Sequence, residues 1–478
     1  MKTNLYKKLS ALLVLVFVGG CAVGPNYKRP AVDTPESYRF ATGESTNSFG
    51  ELPWWEVFKD PALQDLIHTA ITNNYNLKQA VARVEQARQL VTVARAPLFP
   101  QVGYGGDIGR GKNALFNSPT ANNGVTTSSA LLDVNAFWEI DFWGRIRRLT
   151  EAARARYLAT DEARRGVMIT LVSDVATAYF SLLDLDQELQ IQRAATNAYS
   201  GSYRIFNDRR INGVASRLET DRAAAALANA AAVIPQLELQ VATTENFINV
   251  LLGRNPGPIP RGTLADLPPF PAEIPAGLPG TLLQRRPDIL ASEQSLMAAN
   301  ALIGASLANF FPQIGLTTFF GKASPELSAF SSGAATAWNV GATMAGPLFQ
   351  GGQLRAQYRG AKANFDEAKA AYEQTVINAF QEVSNVLISR EKFAEALVYD
   401  AQAVTALTSS VEVATERYLN GKSSYYEVLQ AQQELYPTQR AQVQTQVNEL
   451  VSVVLLYRAL GGGWQTEDSG QQAKAESH

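Results

Sequence analysis

The chain has 478 residues, with 42 Lys and Arg against 44 Asp and Glu for a formal net charge of −2, so it lacks the basic excess of a nucleic-acid-binding surface. One cysteine, Cys21, and two histidines, His68 and His478, exclude a disulfide framework, a Cys/His zinc cluster and most Cys–His nucleophilic sites. A mean hydropathy of −0.10 fits a soluble protein and equally fits a β-barrel, whose strands alternate polar and apolar residues.

Lys2, Lys7 and Lys8 precede an apolar run at residues 9–18 that ends in Gly19-Gly20-Cys21. A basic start, a run well short of the roughly 20 residues that span a bilayer, and small residues at the break mark 1–20 as a secretory signal peptide. Val18-Gly19-Gly20-Cys21 resembles a bacterial lipobox. Cys21 is therefore expected to carry a covalent lipid, the competing reading being a free thiol past an ordinary cleavage site. Acyl chains gain about 0.8 kcal/mol per buried methylene, so several would hold the N-terminus at a membrane. Ala22 in the next position points, by the general lipoprotein sorting rule, to the outer membrane, and residues 21–58 read as a lipidated extended segment.

The remainder is one pattern written twice. Phe99-Pro100-Gln101-Val102-Gly103 recurs 212 residues later as Phe311-Pro312-Gln313-Ile314-Gly315, and Arg210-Ile211-Asn212-Gly213 recurs 208 later as Tyr418-Leu419-Asn420-Gly421. The expected units are a first repeat at 59–255, a linker at 256–280, a second repeat at 281–462 and a flexible tail at 463–478. The linker holds eight prolines from Pro256 to Pro279, and proline cannot continue a helix. Each repeat should hold a helix, two strands and a long helical hairpin. His68, beside Leu66 and Ile67 in a helical pattern, reads as packing or surface rather than as a base.

The strand candidates lie ahead of the long helix in each repeat. Val102 to Gly109, and the alternation Leu132, Val134, Ala136, Trp138, Ile140, Phe142, fall in the first; Ile314 to Gly321, and Trp338, Val340, Ala342, Met344, fall in the second. One apolar and one polar face flanked by Trp138 and Trp143 fits a transmembrane barrel strand, although a half-buried hairpin in a soluble domain alternates in the same way. Apolar residues spaced by three and four follow, from Met168 to Leu189 and from Tyr372 to Tyr418, as in a coiled-coil seam. Residues 145–208 contain no proline and as a helix would extend roughly 95 Å. Shorter partners return after Asn212-Gly213 and Asn420-Gly421, pairs suited to a chain reversal.

Four strands cannot close a barrel, since the smallest transmembrane barrels need about eight and an open edge in lipid leaves backbone groups unpaired. The chain must pool its strands with copies of itself. Two copies give an eight-stranded barrel filled by side chains, whereas three give twelve strands and room for water.

The lipobox, Gly24-Pro25-Asn26-Tyr27-Lys28-Arg29-Pro30, the duplicated Phe-Pro-Gln, Gln284-Arg285-Arg286-Pro287-Asp288-Ile289 and Ala459-Leu460-Gly461-Gly462-Gly463-Trp464 together resemble the lipoprotein branch of the TolC-like outer-membrane factors. That resemblance implies an α+β membrane protein: a homotrimer with a 12-stranded outer-membrane barrel, four strands per chain, continued by a periplasmic α-helical barrel with an equatorial collar. It also implies partners, namely outer-membrane lipid, a periplasmic adaptor and an inner-membrane pump of the resistance-nodulation-division type that supplies the energy. The implied function is the exit duct of a tripartite efflux pump, conducting small toxic compounds passively. Alternatives are a duct for protein secretion and a structural periplasmic coiled-coil lipoprotein that spans nothing. No nucleophile–base set or metal cluster supports an enzyme, no cofactor beyond the Cys21 lipid is implied, and four scattered methionines give no reason to expect a soft-metal cargo.

Six residues past each tip glycine stand Glu219 and Glu427, and a trimer would gather six such carboxylates. Crowded like charges repel and favour cations over anions. By resemblance, Glu219 and Glu427 match aperture acids of the periplasmic gate and Tyr426 a constricting apolar position. Gln430 departs from the pattern, a neutral amide standing where many relatives carry aspartate. A solvated helix face is the competing reading for both glutamates. Arg209, Arg210, Arg217, Arg222 and Lys422 are candidate partners for them. The tips at Asn212, Gly213, Asn420 and Gly421 are candidate adaptor-docking points, by resemblance only.

Overall fold

A computed structural model describes residues 22–41, 48–112, 126–268, 270, 275–324 and 335–464. The expected signal peptide, Cys21 and the tail from 465 onward lie outside the described residues. A one-turn helix at Trp54–Val57 is followed by α1 (Pro61–Asn73), α2 (Tyr75–Arg95), β1 (Gln101–Lys112) and β2 (Thr126–Ile140). The first hairpin is α3 (Arg145–Ile211) and α4 (Arg217–Leu251). After the linker come α5 (Pro279–Arg285), α6 (Pro287–Ala308), β3 (Gln313–Ser324), β4 (Thr336–Ala345), α7 (Gln353–Leu419) and α8 (Tyr425–Ala459). Both long helices have 67 residues and both return helices 35, about 100 and 50 Å at 1.5 Å per residue.

The chain divides into two units. The first comprises residues up to 31, 83–161 and 291–373 and holds the only sheet among the described residues. Its four antiparallel strands lie in the order β1-β2-β3-β4. Beside the sheet, α3 and α6 approach through Ala152, Ala155, Ala298 and Ala301, whose small side chains permit close packing. An extended N-terminal strap follows α6: Arg29 Nε and the Tyr27 hydroxyl donate to Glu293 at 2.7 and 3.1 Å, and Asn300 Nδ2 donates to the Pro25 carbonyl at 3.0 Å. Gly24 lies so close to Gly304 that a Cβ there would fall 2.4 Å from the Gly304 Cα.

The second unit comprises residues 32–82, 162–290 and 374 onward. Its core is built on Tyr179, Phe180, Leu182 and Leu183 of α3, with Leu63, Ile67, Ile248 and Tyr457 also buried. A window of α3 is apolar enough to cross a membrane, but 67% of it is buried within the chain, as befits a core helix. The linker is pinned where Arg261 reaches Asp186 on α3 at 3.0 Å and Glu245 on α4 at 2.5 Å. Arg286 is buried between Asp288 at 2.7 Å and Glu382 on α7 at 2.8 Å, and donates to the Ala459 carbonyl at 3.0 Å.

Three sequence expectations need correction. β2 stops at Ile140, so Phe142 and Trp143 belong to a turn, although the alternation continues through them. The Asp141 carboxylate accepts the Ile146 and Arg147 backbone N–H groups, each at 2.9 Å, capping α3 and ending the strand. The strands are also longer than the alternation indicated, β1 reaching Lys112 and β3 Ser324. Gly463 and Trp464, assigned to the flexible tail, are packed: Gly463 is buried and the Arg165 guanidinium lies 4.4 Å from the Trp464 ring centroid.

Candidate functional site: the strand faces and the hairpin tips

Residues directly opposite in an antiparallel ladder share a face, so the registers sort the sheet into two surfaces. One carries Val102, Tyr104 and Ile108 of β1, Leu132 and Val134 of β2, Leu316 and Phe320 of β3, and Trp338, Val340 and Met344 of β4. Tyr104 is 89% and Val340 74% exposed, an apolar surface that water disfavours and lipid accepts. The other face is mostly small and polar, with Gly103, Gly105, Asp133, Asn135, Thr317, Gly321, Asn339 and Thr343, and is interrupted by Leu131, Phe137 and Phe319. Asp133 lies between Gly105 and Gly321 and accepts from Asn135 Nδ2 at 2.8 Å. A Cβ on Gly321 would lie 2.2 Å from the Leu132 carbonyl oxygen, so the strands require glycine there. At one end Trp138 Nε1 donates to the Leu98 carbonyl at 2.9 Å and Trp143 Nε1 to the Pro312 carbonyl at 2.8 Å, giving each amphipathic indole its polar partner. Among the described residues, β1 and β4 each have one side unpaired.

The two hairpin tips repeat one turn. Gly213 and Gly421 have φ of +74° and +71°, a backbone region that favours glycine. Val214 N–H donates to the Arg209 carbonyl and Lys422 N–H to the Arg417 carbonyl, both at 2.8 Å, which closes each helix in a Schellman turn. Asn212 and Asn420 use their side-chain amides to satisfy the carbonyls of Asp208 and Glu416 at 2.7 and 2.9 Å. Around these turns Ile211, Val214, Leu218 and Leu419 are exposed.

The two glutamates expected at the gate, Glu219 and Glu427, occupy equivalent positions and are used differently. Glu219 forms a capping box: its Oε2 accepts from the Ser216 backbone N–H at 2.8 Å, and Ser216 Oγ accepts from Glu219 N–H at 3.3 Å. Ser424 makes no side-chain cap, and Glu427 instead faces Arg417 at 3.7 Å, both about half exposed. Of the cations named from sequence, Arg222 lies 5.5 Å from the Tyr426 ring centroid and Arg217 pairs with Asp221 at 3.4 Å. Arg209 donates to the Tyr418 hydroxyl at 2.5 Å and Arg210 to Asn207 at 3.2 Å. Arg417, which sequence reasoning passed over, is the observed partner of Glu427. Gln430 donates to Glu434 at 3.2 Å.

Beneath the tips, Tyr425 packs edge-on against Phe206 and Tyr418, each at 4.8 Å, and its hydroxyl meets Ser202. The Tyr199 hydroxyl is pushed up to about 12 by burial, with Tyr436 adding to it. Midway along α3, burial pushes the Asp184 carboxyl up to about 7, and the Glu188 carboxylate one turn on reinforces the shift. Asp184 Oδ1 has no hydrogen-bond partner among the described residues.

A half-built sheet with one apolar and one mostly small, polar face, joined to long helical hairpins, defines a subunit of an oligomeric membrane duct. The family model described as outer membrane efflux protein matches residues 66–254 and again 278–462, and the chain belongs to that family. It is 37% identical to the toluene efflux pump outer membrane protein TtgC of Pseudomonas putida, over 98% of this chain and 99% of that protein. It is 31% identical to the cation efflux system protein CusC of Escherichia coli, over 96% and 99%. Its structure resembles the open state of the MtrE outer membrane channel of Neisseria gonorrhoeae with a TM-score of 0.83 at 30% identity, covering 93% of this chain and 99% of that one. The fold is thus that of a trimeric outer-membrane efflux channel, α+β, with four barrel strands per chain and periplasmic helices. The protein is a duct rather than an enzyme, and it works with a periplasmic adaptor and an inner-membrane pump.

Proposed function

We propose that this trimer conducts small toxic organic compounds, delivered by a pump of the resistance-nodulation-division type, through a pore lined by the Gly-, Asn- and Thr-rich strand face. The observation that carries this reading is the division of the sheet into a lipid-compatible face and a mostly small, polar one, with both edge strands left open. The 37% identity to a toluene efflux component, against 31% to a cation efflux component, favours organic cargo. Cys21 carries the lipid anchor in this reading, and the apolar tips around Asn212-Gly213 and Asn420-Gly421 receive the adaptor.

The periplasmic gate is formed by Tyr426, Glu219, Glu427 and Gln430. Glu427 is the more responsive of the two acids, because Arg417 is its partner across the hairpin turn whereas Glu219 is committed to its own helix cap. Tyr426 is held by Arg222, a cation–π contact of about 0.5–1 kcal/mol at an exposed site, and Gln430 keeps the aperture less negative than an aspartate would. Purified trimer in a planar bilayer tests this. Glu427→Ala should lower the cation-to-anion permeability ratio and Glu219→Ala should change it less. Identical selectivity in wild type and Glu427→Ala would remove Glu427 from the gate.

A further inference from the structure

The first repeat closes its own strand-to-helix corner and the second leaves the equivalent corner open. After β2 the chain turns through Phe142-Trp143, and Trp143 stacks on Phe311 at 4.5 Å with the rings 22° apart. Phe311 begins the Phe-Pro-Gln that leads into β3, the strand paired with β2. After β4 the chain turns through Leu348-Phe349 into α7, and there the side chains stand free, Leu348 fully and Phe349 89% exposed. The other copy of the same tripeptide is Phe99-Pro100-Gln101, which leads into β1, and Phe99 is 54% exposed.

Within one chain Phe349 cannot reach Phe99. The order β1-β2-β3-β4 places their strands three spacings, about 14 Å, apart at opposite edges. In the trimer the open β4 edge of one copy meets the open β1 edge of the next, which re-creates the neighbour relation of β2 to β3. β4 ends at Ala345, opposite Gln313 at the start of β3, so the Leu348-Phe349 corner emerges at the end of the sheet where β1 begins.

We propose that Phe349, supported by Leu348, docks on Phe99 of an adjacent copy of this chain, forming between chains the aromatic contact that Trp143 and Phe311 form within one. The inference rests on the trimeric reading and adds to it a defined anchor at the periplasmic end of the barrel. The repeat supplies the geometry and the exposure of both rings supplies the driving force, since large aromatics buried at the centre of an interface dominate its energetics. Phe349 lacks the indole N–H that Trp143 gives to Pro312, so the contact between chains would be a ring contact without that bond.

Cysteine cross-linking of the full-length protein in outer membranes tests the anchor. A Phe99→Cys/Phe349→Cys pair and an edge-strand pair, Val102→Cys/Met344→Cys, are treated with a short bifunctional maleimide, wild type controlling for Cys21. Both pairs should yield covalent dimers and trimers. Linking by the edge pair alone would overturn the anchor and leave the trimer standing, and linking by neither would overturn both. The dissociation temperature of the SDS-resistant trimer gives a second readout. Phe349→Asp should lower it, and Phe349→Trp should match or raise it by offering an N–H to the Pro100 carbonyl. The same temperature in all three proteins would also overturn the proposal.

Discussion

The two repeats share a backbone and differ in what their side chains do. Helix lengths match at 67 and 35 residues, and the tip glycines adopt the same left-handed conformation within a few degrees. Yet α3 buries about a third of its residues, whereas its counterpart α7 buries about a tenth and shows most of its surface. Where α3 places the buried Asp184, α7 places Lys392, exposed and paired with Glu391 and Glu395, each at 2.9 Å. Duplication has kept the features that fix chain direction, while each copy's side chains have followed its own surroundings.

The largest test of that contrast is at the closed corner. Trp143→Ala removes a stacked ring and the bond to Pro312, and should cost about 2–3 kcal/mol, less than the loss of a fully buried aromatic because the ring is only half-buried. A lowered denaturant midpoint in detergent would register the loss, and an unchanged midpoint would mean that the first corner is held by something else.

Next is the Asp184 carboxyl, whose value is raised from 3.8 to about 7 in the folded chain. The folded state therefore holds a proton that the unfolded chain has released, so stability declines as pH rises from about 4 and levels off above about 7. Asp184→Asn should flatten that slope, with a gain of about 1–3 kcal/mol at alkaline pH, the scale of an unsatisfied buried polar group, and almost none at pH values below the window. Lys392→Gln, at the matching exposed position, should change stability by less than about 0.5 kcal/mol. Thermal unfolding across pH distinguishes the two, and parallel curves for wild type and Asp184→Asn would contradict the assignment.

The smallest effect separates the tips. Ser216→Ala breaks a formed capping box and should cost about 1 kcal/mol, whereas Ser424→Ala removes no side-chain cap and should cost only a few tenths. Amide hydrogen exchange in the first turns of α4 and α8 reads the difference, and equal acceleration in both would erase the asymmetry on which the Glu427 assignment depends.

Much of this arrangement was legible in the sequence. Heptad spacing located the long helices because a sustained 3.5-residue repeat has few other structural causes. Two-residue alternation located all four strands, and Asn-Gly located both tips. The misreadings share a cause, which is that the deciding interaction lies off the local pattern. Alternation runs on through Phe142 and Trp143 because both go on to make ring contacts, although Asp141 has already turned the chain into α3. Ser216-Arg217-Leu218-Glu219 and Ser424-Tyr425-Tyr426-Glu427 present the same Ser-x-x-Glu signature, and only the first becomes a capping box. In the second, Tyr425 is drawn into the aromatic cluster and Glu427 turns toward Arg417. The N-terminal strap was visible as a motif but its role was not, since its partners Glu293, Asn300 and Gly304 lie more than 260 residues away.

The unmatched outer strands also bear on how quickly the protein must mature. A lone chain carries two rows of unanswered amide and carbonyl groups beside a greasy surface, the combination that invites mispairing and digestion. Finding two sisters is a collision process, so its pace climbs steeply with the supply of newly exported chains. Yield in the cell should therefore follow expression level more than proportionally, with scarce chains lost to periplasmic proteases before they meet.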